Sequence, residues 1–378
     1  MAQTKEIRIA LLGTKFMGRT HSNAFSRVTQ FFNPKAQPVM AVVCGRDPVA
    51  TQDLANRFGW HEASTDWKSV VNRPDIDLVD VSTTGNAHMP MVLEAAKAGK
   101  HILCEKPLAN TLAEARTMLK AVKKAKVLHM VGFNYRFVPA ISLARRMIKA
   151  GKLGRIHHWR AHYLQDWIVD PKFPFVWRLD KKQAGSGALG DIAAHSIDLS
   201  RYLIGEIDEV VGMTKTFINK RKVPGTKKTA KVTVDDAAAF MVRFKNGAMG
   251  TFEASRFATG RKNANGFEIY GEKGSLAFDL EDLNRLKFYD RTDGPLEQGF
   301  KDIIVTEGGH PYAGAWWPAG HIIGYEHSFV HEVYELLNSL ANGSMPVPNF
   351  EDGVRCQEVL EAVERSARSR RWIKISSV

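Results

Sequence analysis

Residues 7–21 read Ile7-Arg8-Ile9-Ala10-Leu11-Leu12-Gly13-Thr14-Lys15-Phe16-Met17-Gly18-Arg19-Thr20-His21. A short apolar run stops at a glycine, and a helix-forming stretch opens just beyond it. Strand, tight turn and helix in that order begin a dinucleotide-binding βαβ unit. The full fingerprint is G-x-G-x-x-G; Gly13, Lys15 and Gly18 stand at its three places. Gly13 suits the tight turn and Gly18 suits close helix packing. The helix amino terminus, over Lys15, Phe16 and Met17, offers N–H groups to a pyrophosphate, and the Lys15 ammonium adds charge there.

The pattern repeats outward from this turn. Strand-like runs follow at 39–44, 77–82, 101–104 and 127–131, with helical stretches at 48–58, 87–98 and 112–124 between them. Alternation of this kind predicts an α/β fold with a doubly wound parallel sheet, its ligands at the carboxyl ends of the strands. The run His101-Ile102-Leu103-Cys104-Glu105-Lys106-Pro107 carries an acid and a base to that edge, because a proline cannot continue a buried strand. An ammonium placed there can hold a substrate hydroxyl.

Cofactor choice is read after the second strand, at Cys44-Gly45-Arg46-Asp47. A small residue followed by arginine leaves room for the 2′-phosphate of NADP, whereas an acid holds the ribose hydroxyls of NAD. Gly45 and Arg46 lean to NADP, and Asp47 keeps NAD open. The same residues also read as a turn capping the next helix.

After Ala150 the pattern changes. A strand at 156–163 and runs at 237–244, 249–255 and 267–270, separated by turns such as Asn246-Gly247, predict an α+β domain with an antiparallel or mixed sheet. The expected division is residues 1–150 for the nucleotide and 151–378 for substrate binding and oligomerisation. Late helices at 325–340 and 350–369 cover the second sheet or return to the first domain.

A glycine-rich loop, Gly185 to Gly190, feeds a helix bearing Asp191, His195 and Asp198. At 3.6 residues per turn these share one face, and a histidine between carboxylates has its tautomer fixed, which suits a general base. The segment Tyr163-Leu164-Gln165-Asp166-Trp167 and the pair Trp177-Arg178 combine aromatic faces with hydrogen-bonding groups, as a sugar or cyclitol ring requires. His327 and His331 are helically spaced without an H-E-x-x-H pattern, so no metal site is expected.

Composition sets the outer limits. The 378 residues suffice for two domains, and 44% hydrophobic with 25% charged residues is an ordinary globular balance. Apolar stretches are strand-sized, and the residues before Ile7 lack the apolar region of a secretory signal, so a cytoplasmic protein with no membrane partner is expected. Net charge is +13, concentrated between Lys215 and Lys231; without aromatic interleaving or a known motif this reads as a solvated loop, not a nucleic-acid site. Cys44, Cys104 and Cys356 are dispersed and form no C-x-x-C pair.

The glycine turn, Thr84-Gly85-Asn86-Ala87-His88, Glu105-Lys106-Pro107 and Gly190-Asp191 through His195, in that order, resemble the glucose-fructose oxidoreductase / inositol dehydrogenase / rhizopine catabolism (Gfo/Idh/MocA) family. His129 to Arg136, Tyr163 to Trp167 and Ala184 to His195 are similar to its levoglucosan dehydrogenase-like members. The resemblance implies a Rossmann domain, a second domain with an open sheet, and homodimers or homotetramers. It also implies that Lys106, Asp191 and His195 are catalytic and that Thr83, Asn86, His88 and Glu105 join the cofactor site. Tyr135, Tyr163, Gln165, Trp167 and Arg178 would meet substrate. Lys15, Gly85 and Gly45 depart from the family pattern, standing for a glycine, a common proline and an acid. The implied activity is NAD(P)-dependent oxidation of a secondary ring hydroxyl of a sugar, anhydrosugar, glycoside or cyclitol. Alternatives are a glycosidase using transient ring oxidation and an inactive nucleotide-sensing regulator.

Overall fold

The first turn of the chain is built as its glycines require. Strand β1 (Lys5–Leu12) ends at Gly13, whose φ of +128° is open to glycine alone, and α1 (Phe16–Phe31) follows. A computed structural model describes residues 5–378; the stretch read above as lacking a secretory signal lies partly outside them. The chain divides into two compact units, one of residues up to Phe137 with Gly324–Val354, the other of Val138–Ile323 with Arg355–Val378.

The first unit contains β2 (Ala36–Cys44), β3 (Glu62–Ser64), β4 (Leu78–Val81), β5 (His101–Glu105) and β6 (His129–Gly132). Its helices are α2 (Pro48–Phe58), α3 (Trp67–Val71), α4 (Gly85–Lys97) and α5 (Leu112–Ala125). All six strands are parallel in the order β3-β2-β1-β4-β5-β6, a Rossmann sheet whose order reverses between β1 and β4. Central strands are mostly apolar because helices cover both faces: Ile9, Leu11, Val79, Ile102 and Leu103 have no exposed surface, and Asp80 and Glu105 are the buried acids among them. Sequence periodicity missed β3 and α3, which are too short to show any.

The second unit holds α6 (Pro139–Lys149), β7 (Ile156–Leu164), α7 (Lys181–Ala184), α8 (Ala194–Leu203), β8 (Ile207–Lys215), β9 (Lys220–Lys222) and β10 (Thr229–Lys231). Strands β11 (Ala237–Phe244), β12 (Met249–Ser255), β13 (Ala264–Gly271), β14 (Gly274–Asp279), β15 (Arg285–Asp290), β16 (Lys301–Ile304) and β17 (Ile373–Lys374) follow. Nine of these form one sheet, β16-β15-β14-β13-β7-β12-β11-β8-β17, antiparallel except where β12 runs parallel to β7. The chain is thus α/β in its first unit, with a mixed, mostly antiparallel sheet in the second.

Three expectations are revised. The compact units do not divide at Ala150, because α6 packs on α8, β14 and β15; the helix His327–Asn342 packs on α1 and β2, one of the two courses left open for it. The basic 215–231 segment is no solvated loop, since β9 and β10 pair as a hairpin and Arg221 is 2% exposed. Its guanidinium donates to the carbonyls of Ile168, Asp170 and Phe173, binding the 168–173 segment to the hairpin. Finally, Leu189–Ala193 makes a π turn before α8, not a continuous α-helix. Among the described residues no helix is long and apolar enough to cross a membrane.

Candidate active site

In the first unit the candidate residues line the carboxyl edge of the sheet, where the strand order reverses. A Cβ on Gly13 would stand 2.5 Å from the carbonyl oxygen of Ser82, just after β4, and one on Gly18 would stand 2.1 Å from the Gly13 oxygen. Both positions therefore need glycine, and β1, α1 and the β4 loop close on one another there. Lys15 and Phe16 are exposed, and Lys15 at the N-cap makes no side-chain capping hydrogen bond among the described residues, which leaves the first amides of α1 to an anion. A Cβ on Gly45 would come within 2.5 Å of the Thr14 and Thr51 side chains. Asp47 is committed as a helix cap, accepting from the amides of Val49 and Ala50, beside an exposed Arg46. A glycine-tight turn, an uncapped helix start and a small residue before an arginine fit a nicotinamide dinucleotide.

After β4, Thr83 is half-buried and Asn86 exposed, with the Thr84 hydroxyl donating to Asn86. His88 is 1% exposed, and its ring nitrogens face the carbonyls of Leu108 and Thr83 at 3.2 Å, so it braces two loops. Burial lowers its pKa, which favours the neutral ring, and a neutral ring donates to only one of the two carbonyls. A Cβ on Gly85 would meet the Asn110 side-chain oxygen at 2.3 Å, so the close approach of Asn110 needs glycine there. Glu105 ends β5 and accepts the Lys106 backbone N–H at 3.0 Å, with Lys106 half-buried beside it. Tyr135 is buried in this unit, edge-on to Tyr325.

In the second unit the residues gather at the end of β7. The Tyr163 hydroxyl and the Gln165 amide both donate to Asn263 Oδ1, at 2.8 and 2.9 Å, and Trp167 Nε1 donates to Gln165 at 2.9 Å. Trp167 also packs on an apolar cluster of Ile168, Leu179, Val232 and Val234. The Tyr163 and His195 rings lie 6.0 Å apart. Arg178 stacks over Trp177, and its Nε is 3.8 Å from Asp191 Oδ2.

The glycine-rich loop is fixed by Asp235, whose carboxylate accepts the amides of Gly187 and Leu189 at 2.7 and 2.8 Å. Its carbonyl would stand 1.6 Å from a Cβ on Gly187. Asp191 emerges from the π turn about one-third exposed; Asp198 is 1% exposed, so the expected open polar face does not extend that far. The Asp191 carboxylate accepts from Arg256 Nη2 at 2.5 Å. Arg256 is fully buried, lies over the Trp167 ring, and has no hydrogen-bond partner for Nε and Nη1 among the described residues. Arg256, Asn263 and Asp235 escaped sequence reading, since each stands near a strand end with no motif around it. His331 has its Nδ1 2.9 Å from the Phe137 carbonyl.

Together the second-unit groups offer an imidazole, a carboxylate held by guanidinium groups, and an aromatic ring edged with amides, a set suited to a polyhydroxylated ring. Residues 7–133 match a family described as oxidoreductases with an NAD-binding Rossmann fold, and residues 141–277 match the GFO/IDH/MocA C-terminal domain. The chain is 39% identical to a levoglucosan dehydrogenase of Pseudarthrobacter phenanthrenivorans, over 99% of both chains. It is 26% identical to a myo-inositol 2-dehydrogenase of Thermotoga maritima, over 86% of this chain and 88% of that one. An oxidoreductase domain protein from Kribbella flavida shares the structure with a TM-score of 0.95 and 51% identity, covering 98% of this chain and 99% of that one. A levoglucosan dehydrogenase in complex with NADH and levoglucosan gives a TM-score of 0.96 at 39% identity, covering 99% and 100%.

Proposed function

Because the chain belongs to the Gfo/Idh/MocA family of NAD-binding oxidoreductases, we propose that it is an NAD(P)-dependent dehydrogenase of a secondary ring hydroxyl on a sugar, anhydrosugar, glycoside or cyclitol. Levoglucosan is the first substrate to try, given the extent of the likeness to levoglucosan dehydrogenase. The observation that carries the reading is the cluster of Trp167, Gln165, Asn263 and Tyr163 beside His195, an aromatic ring rimmed with amide and hydroxyl groups.

The nucleotide is assigned to the first unit, held by Gly13, Lys15, Gly18 and the first turn of α1, with Arg46 favouring a 2′-phosphate. When bound, its nicotinamide supplies the group that takes two electrons from the alcohol. Lys106 hydrogen-bonds the substrate oxygen and stabilises its negative charge as the O–H proton leaves. His195 receives that proton, and Asp191, held by Arg256, fixes the substrate against it. Tyr163, Gln165, Trp167 and Arg178 set which ring enters.

The second-unit sheet leaves Met213, Met241 and Met249 exposed on β8, β11 and β12, a face that supports assembly into homodimers or homotetramers. Buried Cys44 and Cys104 thiols suit a reducing cytoplasm.

A panel of levoglucosan, inositols, hexoses and glycosides, each with NAD and NADP, tests the reading through the absorbance of reduced cofactor. Steady accumulation with at least one ring alcohol is expected. Glycoside cleavage without net reduced cofactor identifies a glycosidase, and tight NAD(H) binding with no turnover on any member identifies a nucleotide sensor.

A further inference from the structure

One buried titratable group in the first unit has no part in that scheme. The His21 imidazole, on α1, has no exposed surface and lies between two carboxylates. Its Nδ1 is 2.7 Å from Asp80 Oδ2, and its Nε2 is 2.9 Å from Glu105 Oε1. Ionised carboxylates only accept, so filling both contacts takes two N–H donors and therefore an imidazolium; a neutral ring would need one carboxyl to be protonated. Either way the three groups hold two exchangeable protons between them and carry a net charge of minus one.

The surroundings are built for this. The Ser82 hydroxyl donates to the other Asp80 oxygen at 2.8 Å and lies 3.2 Å from His21 Nδ1. Glu105 Oε2 accepts the Lys106 N–H, and a Cβ at position 132, opposite on β6, would stand 2.8 Å from Glu105 Oε1, so Gly132 leaves the space that the carboxylate fills. Cys104 from β5, His88 from α4 and Tyr325 all feel the Glu105 charge, and the Phe329 ring closes the side facing His21 at 5.7 Å. Burial opposes a charge on His21, but Asp80 and then Glu105 outweigh it and raise its pKa well above the ordinary histidine value.

We propose that His21 and Asp80 are positioning residues for Lys106. A buried imidazolium clamped between Asp80 and Glu105 locks the Glu105 carboxylate, whose second oxygen takes the Lys106 N–H and so fixes where the ammonium is presented. Without the clamp Asp80 and Glu105 repel each other, and the corner between β5 and Lys106 loses its fixed geometry. The inference rests on the role given to Lys106 above.

The test compares the wild type with H21Q, D80N and, as a control, H331Q, whose histidine is equally buried but lies against Phe137. Turnover, sugar KM and NADH affinity are measured, and the histidine ring nitrogens of the ¹⁵N-labelled wild type are followed with pH. H21Q and D80N should lose about tenfold or more in kcat while NADH affinity stays within about threefold and H331Q stays within about twofold of wild type. The His21 ring should keep both protons at pH values where an ordinary histidine, titrating at about 6.5, has lost one. The proposal is overturned by wild-type kcat in folded H21Q or D80N, by kcat loss that merely tracks NADH affinity, or by a His21 ring that titrates like an exposed one. If neither variant folds, the wild-type ring spectrum decides. Failure of the wild type to oxidise any ring alcohol would strike at the role of Lys106, and that spectrum would still judge the clamp.

Discussion

The Asp191 carboxylate is bound to Arg256, Oδ2 to Nη2 at 2.5 Å, with one partner partly exposed and the other fully buried. A carboxylate neutralised in this way has less charge to lend to a nearby imidazole, so its part is to orient groups more than to charge His195. Removing Arg256 takes away the nearer and buried of the two guanidinium groups that face Asp191, leaving Arg178 Nε at 3.8 Å; removing both members of the Asp191–Arg256 pair avoids that loss of compensation. Arg256→Met should lower kcat by about tenfold or more and reduce stability, and Asp191→Asn in the same chain should restore part of the stability but none of the activity. Denaturant unfolding of the two single variants and the double variant gives the coupling, expected at about 1–3 kcal/mol. Additive stability losses would mean the pair contributes nothing as a pair.

Lys106→Ala should lower kcat by about a hundredfold to ten-thousandfold, in the range of one positioned polar group acting on the reacting atoms. NADH affinity, read by fluorescence titration, should change little, because the ammonium is assigned to the substrate oxygen. Turnover near wild type would remove Lys106 from the mechanism.

How much of this was legible in the sequence depends on the range of the interactions. The glycine turn at Gly13, the strand ending at Glu105 and the parallel alternation were readable because each is a local pattern of apolar period and backbone need. The Tyr163 to Trp167 segment was readable as chemistry, but its partner Asn263 lies about a hundred residues away and is joined to it only by the pairing of β7 with β13. His21 was visible as a residue of the opening helix. Its function was not, because Asp80 and Glu105 reach it from strands 59 and 84 residues further on. Arg221 was misread because a run of lysines hides a single buried cation. The π turn at Leu189–Ala193 had no signal, since Asp235 holds that loop from outside the segment.

Asp47 is spent on capping α2, so the proposed choice of cofactor falls to Arg46. Arg46→Ala should weaken NADP by about tenfold, the worth of one charge-assisted bond, and NAD by much less. Binding constants for both dinucleotides check this; equal losses would place the 2′-phosphate elsewhere.

Acid should destabilise the first unit through buried histidines whose pKa is lowered, among them His88, His129 and His331. Burial pushes His129 down to about 4 and His331 down to about 3, where the approach of His327 adds to the effect. In the unfolded chain His129 and His331 both titrate near the ordinary value of about 6.5. Between those limits the unfolded state holds more protons than the folded one, so stability rises with pH; it is fully present above about 6.5 and is lost as pH falls through the window. Each ring contributes up to about 1.4 kcal/mol per pH unit. His21 acts in the opposite sense and in another window: its folded pKa is raised, so its contribution is complete below about 6.5 and is lost only as pH climbs through the higher folded value. Between pH 6 and 4.5, roughly, the difference in unfolding free energy between wild type and His331→Gln should therefore shrink as pH falls, by about one proton's worth of slope. Urea unfolding at several pH values measures it. A difference that stays constant across the window would mean that His331 is protonated in the folded protein, and that the Phe137 carbonyl outweighs its burial.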